Sequence, residues 1–365
     1  MKKILTPFKK NGFELKNHLV MAPMTRSRAL NNIPNDLMAT YYGQRTGAGL
    51  IITEGTAPMK DGVGYPRIPG IYSDEQIEGW KKVTDAVHKK DSKIFLQLMH
   101  CGRIGHKDNV PEGGKVMAPS AIKAEGEMFT DTNGLQEHTK PEAFTIDSIK
   151  RTIDGHVKAA ENAIKAGFDG VEIHGANGYL MEQFLNPNVN QREDEYGGSI
   201  EKRAKFVVDT VTAVADAIGK EKVGIRLSPY STFNDQPAYD KDQVHETYIY
   251  LAEKIADAGI LYIHFSMNPD AQEKTYNSIR EKYKGIIIQC NGLSPETAEK
   301  ALHGDLADLV AFARNWLANP DLEKRIAEEA DLNEPKEDLF YAPGAEGYTD
   351  YPTLEQEAPV VNTSN

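Results

Sequence analysis

Between residue 19 and about residue 330, short apolar runs alternate with longer stretches in which apolar residues recur every three or four positions. The runs Leu19–Met24, Leu50–Gly55, Lys93–His100, Gly170–Gly175, Lys222–Pro229, Leu261–Ser266, Gly285–Gly292 and Asp308–Arg314 predict eight strands. The periodic stretches Leu37–Arg45, Glu75–Lys89, Ile146–Ala166, Glu201–Ile218, Gln243–Ala258, Asn277–Lys284, Pro295–Leu302 and Asp321–Ala330 predict the helices between and after them. Ser294 before Pro295 reads as a helix start, and Gly167, Gly219 and Gly259 stand just past helix ends, where a left-handed cap is expected.

Eight strand–helix repeats predict a single (β/α)8 TIM barrel. An open doubly wound sheet would show the same alternation. No Gly-x-Gly-x-x-Gly follows the first strand, however, and no Gly-x-x-x-x-Gly-Lys phosphate loop occurs in the chain. Two segments exceed what a bare barrel needs. Residues 101–144, rich in Gly and Pro after the third strand, read as a lid or binding loop. The aromatic segment from Asp331, with Phe340-Tyr341 and Tyr348-Thr349-Asp350-Tyr351, reads as a C-terminal flap packed on the barrel. One domain is expected over residues 1–355, with a frayed tail at 356–365.

Composition narrows the partners. With 42 Lys+Arg against 54 Asp+Glu the formal charge is −12, and no basic block is present, which speaks against nucleic acid or an anionic membrane surface and for a small-molecule partner. No apolar run approaches the roughly 20 residues of a membrane helix. The N-terminal Met-Lys-Lys-Ile-Leu-Thr-Pro lacks the apolar region of a signal peptide, so a cytoplasmic location is expected. The two cysteines, Cys101 and Cys290, are too few for a zinc or iron–sulfur site and read as packed thiols.

In such a barrel, polar residues at the carboxyl ends of the strands are the functional candidates. The ends read Pro23-Met24-Thr25-Arg26, Glu54-Gly55-Thr56, Gln97-Leu98-Met99-His100, His174-Gly175-Ala176-Asn177-Gly178-Tyr179-Leu180, Arg226-Leu227-Ser228 and Ala313-Arg314. A lone strand-end histidine is as readily a core residue. His174, Asn177 and Tyr179 together supply two donors for a carbonyl-type oxygen and a phenol able to deliver a proton, the set that reduction of an electron-poor alkene needs.

The chain resembles the Old Yellow Enzyme family of FMN-dependent ene reductases from Pro7 to Pro352. The most specific stretch runs from Val171 through Gln183-Phe184-Leu185-Asn186-Pro187 and Asn190-Gln191-Arg192-Glu193-Asp194-Glu195-Tyr196-Gly197-Gly198-Ser199 to Arg203. The resemblance implies non-covalent FMN, NADH or NADPH as reductant, and an activated alkene as substrate, in a monomer or homodimer. It implies that His174 and Asn177 bind the activating oxygen while Tyr179 protonates the α-carbon after hydride reaches the β-carbon; Tyr179 could instead merely pack the loop. It further implies that Pro23, Met24 and Thr25 contact the flavin ring, with Thr25 at its O4. Gly55 would let the ring approach, Gln97 would read its pyrimidine edge, and His174 and Arg226 would face it. Gly292, Ala313 and Arg314 would hold the phosphate.

Alternatives stand beside three of these assignments. Arg226 could pair with Glu54 or Glu172, and Arg314 could form a surface ion pair. Tyr65, Met99, Phe265 and Tyr341 are candidate substrate-pocket walls, and aromatic residues at such places are as often plain core. Thr25 stands where some members carry Cys, and Met99 where relatives often carry a bulkier Trp. Two rival classes share the fold: a flavin-free phosphate-binding lyase or isomerase, which would want a rim lysine or a Glu/His pair, and a non-catalytic flavin-binding protein.

Overall fold

The computed structural model describes residues 2–266, 273–290, 292–304 and 307–357. Strand one is Leu19–Met21, strand two Leu50–Ile52, strand three Lys93–Leu98, strand four Gly170–Gly175, strand five Val223–Leu227, strand six Tyr262–Ser266, strand seven Ile286–Cys290 and strand eight Leu309–Phe312. All eight are parallel, each pairs with its successor, and strand eight closes on strand one through Val310↔Leu19 to Phe312↔Met21. The expected (β/α)8 barrel is therefore present.

Side-chain alternation divides the core into two layers. Val20, Ala22, Leu50, Ile52, Phe95, Tyr262, Ile286, Ile288, Leu309 and Ala311 fill the barrel interior as one cluster. Their odd-step neighbours, such as Leu19, Ile51, Leu96, Ile173, Ile225, Ile263 and Val310, pack outward against the helices as another. Those helices are α1 (Asp36–Gln44), α2 (Asp74–His88), α3 (Ile146–Lys165), α4 (Leu180–Leu185), α5 (Ile200–Ile218), α6 (Lys241–Ala258), α7 (Glu273–Lys282) and α8 (Pro295–His303). Ser294 caps α8 in a capping box with Thr297. Gly259 adopts the left-handed cap, whereas Gly219, with φ 95° and ψ 128°, has positive φ outside the left-handed helical region. No helix among the described residues is long and apolar enough to cross a membrane.

The segment 101–144 carries two short pairings, an antiparallel hairpin of Glu127–Thr130 with Gly134–Glu137 and a parallel contact of Met117–Ala118 with Glu142–Ala143. The C-terminal flap is bound by three buried arginines. Arg26 donates to the carbonyls of Phe340 and Gly347, and Arg28 to those of Leu339, Phe340, Gly344 and Glu346. Arg45 donates to those of Trp316, Leu317 and Tyr348. The Tyr348 ring stacks on Tyr41 at 4.1 Å, with the Arg45 guanidinium 3.8 Å from the Tyr41 centroid. Of the expected tail, Gln356 and Glu357 belong to a helical turn, Leu354–Glu357, and residues 358–365 lie outside the described residues.

Candidate active site

The inward positions of strands three to six carry the chemistry. Register aligns His174 with Arg226 and Arg226 with His264, and sets Gln97 beside Glu172 one inward step deeper. Gln97 donates through Nε2 to Glu172 Oε1 at 2.8 Å, and His264 Nδ1 lies 2.8 Å from Glu172 Oε2. Burial opposes charge on His264, but the Glu172 carboxylate outweighs it and the imidazole holds a proton more tightly than usual. Among the described residues Arg226 forms no ion pair. Its one contact is Cys290 Sγ at 3.9 Å, and its Nε is buried without a partner. The sequence alternative of an Arg226–carboxylate pair is thus not what forms: Glu172 is taken by Gln97 and His264, and Glu54 accepts from the Arg26 N–H and the Tyr42 hydroxyl.

Strand four ends in a tight turn. His174 Nδ1 accepts the Ala176 N–H at 3.2 Å, which places the ring proton of the neutral imidazole on Nε2. Burial, then the Arg226 and His264 charges, push the His174 pKa well below that of a free histidine, so this neutral donor form persists. Asn177 follows with φ 58° and Gly178 with φ 76°, two successive left-handed residues. Only glycine fits the second, because a Cβ there would lie 2.5 Å from the Phe233 carbonyl oxygen. The Asn177 side chain is half-buried and makes no hydrogen bond among the described residues. Tyr179 opens α4, its ring edge-on to His174 at 4.8 Å, and its hydroxyl donates to that of Tyr65 at 3.0 Å. Burial, then the neighbouring Cys101, raise the Tyr179 pKa above its ordinary value.

Near the first strand's end, Pro23 is buried while Met24 and Thr25 are half-buried, and the Thr25 hydroxyl has no partner among the described residues. Between the ends of strands seven and eight, Cys290, Gly292, Ala313 and Arg314 line one cavity of about 330 Å³. Space at the Gly292 Cβ position is open. A buried guanidinium without a counter-ion among the described residues, a strand-end hydroxyl without a partner and a cleft walled by a bare glycine and an arginine are groups that fit a planar polar ring carrying a phosphate.

Four expectations need correction or refinement. Phe265 is 2% exposed and packs edge-on to Tyr276 at 4.8 Å in the outer layer; it is one step out of phase with inward His264 and so faces the helices and not the barrel interior. Gly55 does not open space for a ring along its missing side chain, because a Cβ there would meet Met99 Sδ at 2.4 Å and Cε at 2.5 Å. Met99 is correspondingly buried against Gly55 instead of standing as an open pocket wall. Arg314 lines the cavity but also pairs with Glu337 of the flap at 3.0 Å, with a side chain 67% exposed, so the surface ion pair is real. Tyr65 and Tyr341 gather at the mouth beside Tyr179, Tyr65 by its hydrogen bond and exposed Tyr341 within electrostatic reach of both phenols.

Sequence reasoning missed the role of Glu182. It is buried on α4, accepts the Gly178 N–H and the hydroxyls of Ser228 and Tyr248, and burial pushes its carboxyl up to about 7. It stands inside the quoted motif, and a charged residue on a turn of helix otherwise buried throughout, Leu180 to Leu185, is the signal that was available. His264 was likewise readable from its shared inward phase with Arg226.

A family model described as the NADH:flavin oxidoreductase / NADH oxidase family matches residues 3–333. The chain is 41% identical over 363 residues to 12-oxophytodienoate reductase 1 of Oryza sativa subsp. japonica, covering 97% of this chain and 93% of that protein. It is 41% identical over 359 residues to a probable flavin mononucleotide-dependent alkene reductase of Leishmania infantum, covering 96% and 97%. Among solved structures it is similar to morphinone reductase in complex with tetrahydroNAD, with a TM-score of 0.92 at 41% identity, covering 98% of this chain and 99% of that one. The chain belongs to the NADH:flavin oxidoreductase / NADH oxidase family, and the resemblance to Old Yellow Enzyme read from its motifs is borne out.

Proposed function

We propose that this member of the family is an FMN-dependent ene reductase that draws electrons from NADH or NADPH and reduces the C=C bond of α,β-unsaturated carbonyl or nitro compounds. The observation that carries the reading is the strand-four turn, which joins a neutral His174 with its proton on Nε2, an Asn177 amide without a hydrogen-bond partner among the described residues, and a Tyr179 whose ring lies 4.8 Å from that of His174. The relatives support it: one is an alkene reductase dependent on flavin mononucleotide, and another binds a nicotinamide analogue.

The residues that would hold FMN are Thr25, Gln97 and Arg226 around the ring and Gly292, Ala313 and Arg314 at the phosphate. Bound there, it would supply a hydride, which no side chain can. His174 and Asn177 would each donate a hydrogen bond to the substrate's activating oxygen and stabilise the negative charge that grows on it. Tyr179 keeps its proton at neutral pH and would deliver it to the α-carbon, drawing on Tyr65 to hold the phenol in place. Arg226, lacking a carboxylate of its own, would balance the charge that reduction places on the ring.

A lyase or isomerase built on a Glu/His pair is disfavoured by position. The pair exists as Glu172 and His264, but both side chains are 0% exposed within the barrel. Two free thiols, with Cys101 pushed up to about 12 by burial, suit a reducing cytoplasm.

Tyr179→Phe tests the assignment. Reduction of bound FMN by NAD(P)H should change less than about threefold, while cyclohexenone reduction should slow by about 100-fold or more, the range of a lost general acid. Equal loss in both half-reactions removes Tyr179 from the role of proton donor.

A further inference from the structure

Glu182 is 4% exposed and forms no ion pair among the described residues. A buried carboxylate without a cation is retained only where hydrogen bonds replace its lost hydration, and three do so here. Oε2 accepts the Gly178 N–H at 2.6 Å, and Oε1 accepts the hydroxyls of Ser228 and Tyr248, both at 2.8 Å. Ser228 is in turn the acceptor for the Asn177 N–H at 2.8 Å. The carboxylate therefore holds two consecutive amides of the turn, one directly and one through a single hydroxyl.

Those amides belong to the two left-handed residues, a conformation that asparagine among residues with a Cβ adopts readily and that its hydrogen bonds here hold in place. The opposite side of the same turn is held by neutral amides. Asn234 Nδ2 donates to the Asn177 carbonyl and Gln183 Nε2 to the Gly178 carbonyl, each at 2.8 Å. Glu182 is the acidic member of this frame. The turn it fixes joins His174 to Tyr179 and carries Asn177 at its apex, so a small rotation about it would move the Asn177 amide and the Tyr179 phenol relative to His174.

We propose that Glu182, acting through Gly178 and Ser228, is a positioning residue that sets the spacing of Asn177 and Tyr179 for the bound ligand's oxygen. This rests on the reading that the turn binds the substrate's activating oxygen. Glutamine can replace glutamate with the frame intact. Its single oxygen takes the Gly178 N–H, and its NH2 meets Ser228 and Tyr248, whose hydroxyls can turn to accept. Leucine has similar bulk but leaves the Gly178 N–H and both hydroxyls without this partner.

The test uses the FMN-loaded enzyme and three variants, Glu182→Leu, Glu182→Gln and Ser228→Ala. Each is assayed for its rate of reduction by NAD(P)H, for KM and kcat with cyclohexenone, and for the Kd of the unreactive ketone cyclohexanone, read from the absorbance of the oxidised cofactor. Glu182→Leu should raise the cyclohexenone KM and the cyclohexanone Kd by about 10-fold or more, the effect of a lost buried hydrogen bond, with bound FMN retained and its reduction at saturating NAD(P)H within about twofold of wild type. Ser228→Ala should show the same pattern more weakly, and Glu182→Gln should restore both constants to within about threefold. Should Glu182→Leu fail to fold, Ser228→Ala still severs the link to Asn177. Unchanged binding constants in Ser228→Ala and Glu182→Leu, or a Glu182→Gln that restores neither constant, overturn the assignment. A wild-type enzyme that reduces no activated alkene overturns the reading of the site itself, a result separate from anything the variants show.

Discussion

The contact between Gly55 and Met99 can be weighed by a double-mutant cycle. The Gly55 backbone is not left-handed, so alanine is conformationally acceptable there and only space is at issue. A methyl at residue 55 would lie 2.4 Å from Met99 Sδ, 2.5 Å from Cε and 3.2 Å from Cβ. The first two atoms can swing away at the expense of packing and the third cannot, so Gly55→Ala should destabilise by about 1–3 kcal/mol as an overpacked core. Met99 is 1% exposed, and Met99→Ala should lose about 3 kcal/mol through transfer and cavity terms. In the double variant the new methyl enters the space that the thioether leaves. The total should then be no larger than that of Met99→Ala alone, a favourable coupling of at least about 1–3 kcal/mol. Urea unfolding with FMN removed measures the cycle, and FMN affinity of each variant is measured in parallel. Additivity within about 0.5 kcal/mol, with FMN affinity falling whenever residue 55 is alanine, would refute the packing and return Gly55 to the flavin face.

Two further outcomes follow from buried charge. Arg45→Met should destabilise by roughly 3–5 kcal/mol and open residues 331–357 to limited proteolysis, because the Trp316, Leu317 and Tyr348 carbonyls lose charge-assisted donors; unchanged proteolysis would show that Arg45 does not hold the flap. Burial raises the Glu54 carboxyl from 4.5 to about 7, so the native state holds its proton more tightly than the unfolded chain. The associated stability is fully present below pH 4.5 and is lost as pH rises through 7. Glu54→Gln should therefore gain on wild type by about 2–3 kcal/mol between pH 5 and pH 8, and a difference that stays flat across that range would refute the shift.

The barrel was legible because its signal is collective. Eight apolar runs at barrel spacing overdetermine the fold even though most were read with frayed ends; strand four is Gly170–Gly175 as expected, whereas strand one, expected to reach Met24, stops pairing at Met21. The hairpin of Phe8–Lys10 with Phe13–Leu15, joined by Asn11-Gly12 with φ 53° and 81°, escaped notice although Asn-Gly between β-formers is a strong hairpin signal. Phe265 was misplaced although its phase opposite His264 was readable. The filling of Gly55 by Met99 was not readable, since it depends on how two strand-end loops lie against each other. The arginine clamp was equally hidden: its acceptors are backbone carbonyls, which have no signature in sequence.

That clamp supplies an internal comparison for the site. Arg26, Arg28 and Arg45, at 0–3% exposed, are buried somewhat more deeply than Arg226 at 7%, and none of the four pairs with a carboxylate among the described residues. The first three are answered by the protein itself, through carbonyl oxygens 2.6–3.3 Å away and the faces of Tyr41 and Tyr348. Arg226 has a thiol at 3.9 Å and an orphaned Nε. The chain thus has the means to satisfy a buried guanidinium, and uses them at three positions that hold structure together. At the fourth, beside His174, the described residues give the cation no such answer, which supports the proposed place there for a ligand with an electron-rich edge such as the pyrimidine side of a flavin.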